Sequence, residues 1–523
     1  MPAHSKAVAP LFLLLCLFSV SAPKSAAADL PALNTAPRLA LIIGNGTYSD
    51  VPLRNAPNDA KAMADYLARM GFQITLKVDA TRADMMTSIR SFAEMLETQK
   101  AVGLFYFAGH GAQLAWRNYL IPVDAHIKDV ADMETQAVDL GGLLKSMTQA
   151  KNPMNVVILD ACRDNPFGKN VALPQKGLSQ VDAPSGTFLA YATAPGNTAA
   201  DGLGANGLYT ENLLKEIEVP GAKIEDIFKR VRLRVRLQSS GRQIPWESTS
   251  LEQDFYFRPP EAVRNPSLSE AEQQFQEELA LWERIQESKD PRPLEDYLRR
   301  YPSGKFSELA QFRLDRVLAH SGEQTVKVEG QAGNPYTKGT IKANTEFALG
   351  DSYTYRKVDL LTKAEKPYTL TITEITDHTV VYNKGRVVRD LLGNVYKNIA
   401  YGEYTGAEGG AAQFYPAEYS IGKRWTARYH VKGKDKEWST EYVFKVVDKE
   451  KITLPAGEFD AFRVEGEGYN TLGARLRFTY WAAPDKVRRP LATEFVVAGS
   501  KTRKTYVNER FELTAYRQLK EVR

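Results

Sequence analysis

The chemistry in this chain starts from a thiol and an imidazole. Cys162 ends a short apolar run, Val156-Val157-Ile158-Leu159, which leads into Asp160-Ala161-Cys162-Arg163-Asp164. His110 ends another, Val102 to Phe107, which leads into Ala108-Gly109-His110-Gly111. A cysteine acts as a nucleophile when a base within hydrogen-bond reach makes or holds its thiolate. The reaction also needs donors for the developing oxyanion. Gly111 offers a backbone N–H beside His110 with no side chain in the way, and the N–H of Cys162 is the natural second donor. Taken singly, each feature has a plainer reading. Gly-His-Gly is a loop turn, and a lone cysteine is a small buried hydrophobe. His126 follows Tyr119-Leu120-Ile121-Pro122-Val123-Asp124-Ala125 in a less constrained loop, which leaves His110 as the better base.

The thiol and imidazole form a pair only if the fold brings them together. Residues 38–257 alternate apolar runs with amphipathic segments. Apolar runs at 39–43, 72–78, 102–107, 155–159 and 187–192 read as buried strands, and segments at 58–70, 83–96, 208–217 and 224–237 read as helices. Such alternation predicts an α/β fold, a doubly wound, mostly parallel sheet with helices on both faces. Near-continuous apolar strands fit burial on both sides. Ligands of this architecture bind at the carboxyl ends of the strands. If the runs at 102–107 and 155–159 are neighbours, His110 and Cys162 share one edge of the sheet.

After the prolines of a linker at 258–266, the pattern becomes helical over 267–320. Ser267 and Glu270 have capping-box spacing, and Ala271, Phe275, Leu279 and Trp282 repeat at helical intervals. This predicts a small helical hairpin module that acts as a packing spacer. From 326 to 523 the period becomes two, with Gly and Asn/Asp turns between strand-like runs. That predicts an antiparallel β-domain, a sandwich or half-barrel. No catalytic constellation is visible there. His378 and His430 read as structural, and the β-domain is expected to bind an envelope ligand or protein partner, or to position the rest of the chain.

Seven blocks of the first region resemble the caspase-like cysteine peptidases, in particular the metacaspases, paracaspases and their bacterial relatives, the orthocaspases. The blocks are L-A-L-I-I-G-N-G-T-Y, L-R-N-A-P-N-D-A, F-Y-F-A-G-H-G, Y-L-I-P-V-D-A, I-L-D-A-C-R-D-N-P-F, A-T-A-P-G and G-x-Q-I-P-W-E, in that order over residues 37–257. The resemblance implies a caspase-like fold and a His110–Cys162 dyad that hydrolyses peptide bonds through an acyl-enzyme. It also implies that Asp160, two residues before the cysteine, and Asp59 line the pocket for the residue before the cleaved bond. Paired carboxylates there select Arg or Lys, since an unpaired buried charge is costly. Each has a structural alternative compatible with that role, Asp59 as a helix N-cap and Asp160 as a strand-end acceptor. Arg54 and Arg163 would suit an acid-selective pocket, but D-A-C fits the basic-selective branch better. In such enzymes the loop after the cysteine can be cut, which makes Lys169 and Lys176 candidate self-cleavage positions.

Composition narrows the classes. With 68 Lys+Arg against 63 Asp+Glu the net charge is +5, small for 523 residues, and no basic stripe argues for nucleic acid. Lys6, the apolar run Leu11 to Val20 and Ser25-Ala26-Ala27-Ala28 make residues 1–28 an export signal, cleaved near Ala28 or kept as an anchor. Export to the periplasm or cell envelope with cleavage leaves Cys162 the single cysteine, since the other is Cys16. Asp129, Asp132 and Glu134 do not match an ordered calcium loop, so neither metal nor cofactor is assigned. Two further readings stand beside a peptidase: a non-catalytic scaffold of the envelope, and a transpeptidase or amidase using the same dyad.

Overall fold

The computed structural model describes residues 33, 35–161, 167, 171, 173, 175–197, 204–260, 268–323, 333–398, 412–432, 437–499 and 504–519. The leader, Cys16, Cys162, Arg163, Lys169 and Ser267 lie outside these residues. Among the described residues no helix is long and apolar enough to cross a membrane.

The first region contains β1 (Arg38–Gly44), α1 (Ala56–Arg69), β2 (Phe72–Val78), α2 (Arg82–Gln99) and β3 (Val102–Ala108), followed by the short β4 (Gly111–Leu114) and β5 (Arg117–Leu120). Then come α3 (Asp132–Gln136), β6 (Val138–Asp139), α4 (Leu140–Gln149), β7 (Asn155–Asp160), β8 (Thr187–Tyr191), α5 (Leu208–Ile217), α6 (Ile224–Gln238) and β9 (Trp246–Thr249). The main sheet has the order β2-β1-β3-β7-β8-β9. Its first five strands pair in parallel. The expectation of a mostly parallel sheet needs one refinement, because β9 closes the edge antiparallel to β8.

Alternate residues of each strand serve opposite faces, as the pleat requires. Ala40, Ile42, Leu104, Tyr106, Val156 and Ile158 pack with Met63 and Leu67 of α1, Leu213 of α5 and Phe228 of α6. Leu39, Leu41, Phe105, Phe107, Val157 and Leu159 pack instead with Ile89 and Phe92 of α2 and Leu144 of α4. Helices therefore cover both faces, and polar chemistry is left to the strand ends.

Downstream, α7 (Leu268–Ile285), α8 (Pro291–Arg300) and α9 (Ser307–His320) share a core of Phe275, Trp282, Leu294, Tyr297, Phe306 and Leu314. Asp290 caps α8 by accepting the Arg292 N–H at 3.1 Å, as its place before Pro291 suggests. Leu233 of α6 belongs to the same apolar cluster. Arg236 of α6 pairs with Asp315 at 2.5 Å and Glu323 at 2.7 Å, so these helices are tied to the α/β layer by buried ion pairs.

Apart from Ile341–Lys342 and Glu418–Tyr419, which pair with each other, the remaining strands form an eleven-stranded antiparallel sheet. It runs in space from Val395–Asn398 through Val387–Asp390, Thr379–Tyr382, Glu365–Ile375 and Ser352–Asp359 to Thr505–Arg517. It continues through Ala492–Gly499, Ala474–Ala482, Gly457–Asn470 and Glu437–Leu454 to Arg424–Lys432. The hydrogen bonding is continuous, where a sandwich would have two separate sheets. Glu365–Ile375 makes the continuity: residues up to Thr371 pair with Ser352–Asp359, and residues from Ile372 pair with Thr379–Tyr382, with a register shift between Ile372 and Glu374.

Candidate active site

Strands β3 and β7 are direct neighbours, with Ala108 opposite Asp160. His110 therefore leaves the sheet beside the backbone that leads to Cys162. The Gly109 N–H donates to the Asp160 carbonyl at 3.3 Å. A Cβ on Gly111 would lie 3.2 Å from the carbonyl oxygen of Ala161 and 3.1 Å from Leu178 Cδ2, a fit only glycine meets without displacing a neighbour. The two chains thus run in contact as far as Ala161.

His110 is only 1% exposed. Its ring Nε2 lies 2.6 Å from the carbonyl oxygen of Val51. A carbonyl can only accept, so Nε2 carries the hydrogen, and Nδ1 is the basic nitrogen of the neutral ring. Tyr48 supports this arrangement from below. Its hydroxyl accepts the His110 N–H at 3.0 Å and donates to the Ile121 carbonyl at 2.9 Å, and its ring packs 4.3 Å from the imidazole. Burial pushes the Tyr48 pKa up, so the hydroxyl stays protonated as a donor. A Cβ on Gly109 would meet the Tyr48 oxygen at 2.7 Å. Gly-His-Gly is thus a loop with a purpose for each glycine. Tyr48→Phe leaves the buried His110 N–H without its acceptor and is expected to cost about 1–3 kcal/mol, read from the shift of the chemical denaturation midpoint.

Tyr48 and Val51 are the residues that sequence reasoning missed. Tyr48 was within the quoted block L-A-L-I-I-G-N-G-T-Y, but nothing in its type or spacing pointed to a histidine over sixty residues later. Val51 acts through its carbonyl, which no side-chain pattern encodes.

The two predicted acids both act electrostatically on Tyr106 of β3, and Asp160 is linked to it through Thr210. The Thr210 hydroxyl donates to Asp160 Oδ2 at 2.7 Å and stands 2.7 Å from the Tyr106 hydroxyl. Burial raises the Tyr106 pKa well above its ordinary value, and the charges of Asp160 and Asp59 act in the same direction. Asp59 is 4% exposed. The helix N-cap alternative for this residue is corrected, because α1 begins earlier with Asn55 as its cap and Asp59 lies within its first turn. Its carboxylate instead accepts the Gly207 N–H at 2.9 Å and the Asn206 side-chain amide at 2.8 Å, at the start of α5. Gly207 is the residue before the first turn of α5, so Asp59 holds the entry of that helix by its N–H and places a favourable charge at the helix N-terminus. Asp160 fits its strand-end acceptor reading through Thr210.

Residues 37–256 match the caspase domain family. This segment is a caspase-like domain. Over 182 residues the chain is 28% identical to human mucosa-associated lymphoid tissue lymphoma translocation protein 1 and, to the same degree, to its mouse homolog. The match covers 34% of this chain and 21% of each relative, so the chain spans about a fifth of their length.

The caspase-like domain holds the stretch after its central loop from two sides. From within, Gln113 donates to the Lys176 carbonyl at 2.7 Å, and Asn118 exchanges two hydrogen bonds with the Ser179 backbone at 2.8 and 2.9 Å. From outside, the segment entering the β-rich region lies along residues 180–182. Asn334 donates to the Gln180 carbonyl at 2.9 Å, and the Asp182 N–H to the Tyr336 carbonyl at 3.0 Å. The Asp182 carboxylate accepts the Thr337 hydroxyl at 2.7 Å and the Lys338 N–H at 2.8 Å. Lys176, one of the two candidate cleavage positions, therefore has its carbonyl fixed by Gln113, and Gly177 after it has φ +60 against the Asn197 backbone. Asp182→Ala removes the acceptor of the half-buried Thr337 hydroxyl and of the exposed Lys338 N–H, and limited proteolysis within 333–340 is expected to accelerate ~10-fold.

His126 is exposed, its backbone bonded to Gln136 at 2.8 Å. Asp129 and Asp132 accept backbone N–H groups of the turn before α3, all at 2.9 Å. His378 bonds to Arg313, and His430 lies 3.2 Å from Ser439 Oγ. Among the described residues no group of three His, Cys, Asp or Glu side chains could hold a metal ion.

Proposed function

We propose that this chain is an exported cysteine endopeptidase that cleaves after Arg or Lys, with His110 and Cys162 as its dyad. The observation that carries the reading is the Nε2–Val51 hydrogen bond at 2.6 Å, which fixes the tautomer of His110 just past the end of β3, the strand next to the one leading to Cys162. Nδ1 takes the thiol proton as sulfur attacks the scissile carbonyl carbon. The oxyanion is stabilised by the N–H groups of Gly111 and Cys162. Collapse breaks the C–N bond, the amine leaves with the proton from Nδ1, and a thioester remains. Water, deprotonated by the same nitrogen, then hydrolyses it to the acid and free thiol.

The basic preference is supported by the two carboxylates that act on Tyr106. A cationic side chain bound there neutralises charge that burial makes costly, whereas an acidic one adds to it. Residues 1–28 direct the chain to the periplasm or envelope, 258–266 act as a linker, 267–320 as a helical spacer and 326–523 as a binding or positioning domain. Incubating the chain with fluorogenic peptides ending in Arg, Lys or Asp tests this directly. Turnover of the Arg and Lys peptides is expected. Absence of turnover with all three, or preference for Asp, overturns the proposal.

A further inference from the structure

The β-rich region buries two arginines that have no acid to pair with among the described residues. Arg389, on the strand Val387–Asp390, is 9% exposed, and Arg489, in the connection before Ala492–Gly499, is 5% exposed. Among the described residues the only hydrogen bond of either guanidinium runs to a single oxygen, the Gly393 carbonyl. Nη1 of Arg389 reaches it at 2.7 Å and Nη1 of Arg489 at 3.4 Å. The Nε atoms of both are buried without an acceptor. The walls are aromatic. Arg489 stands 5.9 Å from the ring centres of both Tyr382 and Tyr415. The Tyr382 hydroxyl is buried and also lacks a partner, whereas the Tyr355 hydroxyl is used on the Pro490 carbonyl at 2.9 Å.

Nearby acids are committed elsewhere. Asp351 faces Arg488 at 3.5 Å and accepts the N–H groups of Ala348 and Leu519 at 3.0 and 2.8 Å. Asp390 follows Arg389 in its strand, so it points to the opposite face. Its carboxylate is bonded to the N–H and amide of Asn394 at 2.8 and 2.9 Å. Two guanidinium groups that share one oxygen repel each other, and burial together with the Arg489 charge pushes the Arg389 pKa down. Arginine does not shed its proton in a protein, so the charge has to be answered by an anion.

We propose that Arg389 and Arg489 bind a phosphate dianion, as inorganic phosphate or a phosphate monoester, with the Tyr382 hydroxyl as a further donor. The Nε and outer Nη groups of two guanidiniums form forks that match phosphate oxygens. A dianion neutralises both charges, whereas a single carboxylate leaves one unanswered. The site gives the β-rich region a ligand of its own, independent of the thiol chemistry. Its position among the strands also makes occupancy a contribution to stability, because an anion bound only by the folded chain raises its melting temperature.

The test is isothermal titration and thermal melting of the full chain with inorganic phosphate and with phenyl phosphate, against chloride at equal ionic strength. Saturable binding at one site and a melting temperature that rises with phosphate are expected. Monoester binding at least ~10-fold tighter than phosphate assigns the group to a larger molecule, and equal binding assigns free phosphate. The double variant Arg389→Met/Arg489→Met is expected to lose the binding and to melt no lower than the wild type in phosphate-free buffer, because two unpaired buried charges are gone. If the double variant does not fold, Arg489→Lys decides, with an expected loss of ~10-fold in affinity. Absence of saturable binding by the wild type, or unchanged affinity in the variants, overturns the proposal.

Discussion

Cys162→Ala is expected to lower peptide turnover by at least about ten-thousand-fold, and His110→Ala by a similar factor. The two losses should not add, because the proposed mechanism uses thiol and imidazole as one unit, the imidazole as base and the thiol as nucleophile. Folding is the control. His110→Ala removes a buried ring that fills the space above Tyr48 and bonds to Val51, so it should lower the melting temperature as well as activity. Cys162→Ala deletes one sulfur atom and should leave melting nearly unchanged. Equal activity of both variants and the wild type would remove His110 and Cys162 from the mechanism.

Asp160→Asn is expected to reduce kcat/KM for Arg and Lys peptides about 10²- to 10³-fold while leaving stability close to wild type. The amide keeps an oxygen for the Thr210 hydroxyl, so that hydrogen bond survives while the charge is lost. Asp59→Asn is expected to show a comparable loss plus a fall in stability of about 0.5–2 kcal/mol. The difference follows from the second task of Asp59, holding Gly207 and Asn206 at the start of α5. The measurement is a comparison of kcat/KM across Arg, Lys and neutral peptides, with a denaturation curve for each variant. A neutral-peptide rate that falls as far as the Arg rate would mean that the acids hold the site together and do not select the substrate.

Strands β1, β3, β7 and β8 were legible because they are buried on both faces and so appear as apolar runs, whereas β2, at the sheet edge, is largely half-buried or exposed. Their carboxyl ends followed, but that β3 and β7 are neighbours, the condition on which the pairing of His110 with Cys162 rested, is supplied by the fold. The hairpin β4–β5 was not legible. Its two-residue turn is Ala115-Trp116, both with left-handed backbone, φ 49 and 68. A turn of that kind normally announces itself with Asn or Gly, and neither residue here suggests it. Helix α4 was hidden by Gly141-Gly142 in its first turn, where glycine argues against a helix. The Asp139 carboxylate compensates by accepting the Gly141 N–H at 3.0 Å. The polar β9 reads as a loop and is held in place by pairing with β8.

The site was legible only where side chains carry it. His110, Gly111 and the strand leading to Cys162 could be read from type and position, as could Asp160. The Val51 carbonyl, the Tyr48 hydroxyl and the contact of Asp59 with the start of α5 depend on contacts between residues far apart in the chain. The same applies to Arg389 and Arg489, which read as ordinary strand and loop cations until burial removes the water that would solvate them.

The most direct test of the central claim is covalent capture. A peptidyl-arginine bearing a thiol-reactive group is incubated with the full chain, and the adduct is located by mass spectrometry. One equivalent on Cys162, absent from Cys162→Ala, greatly slowed in His110→Ala and suppressed by excess Arg peptide, is the predicted result. No adduct on Cys162, or labelling unaffected by loss of His110, would contradict it.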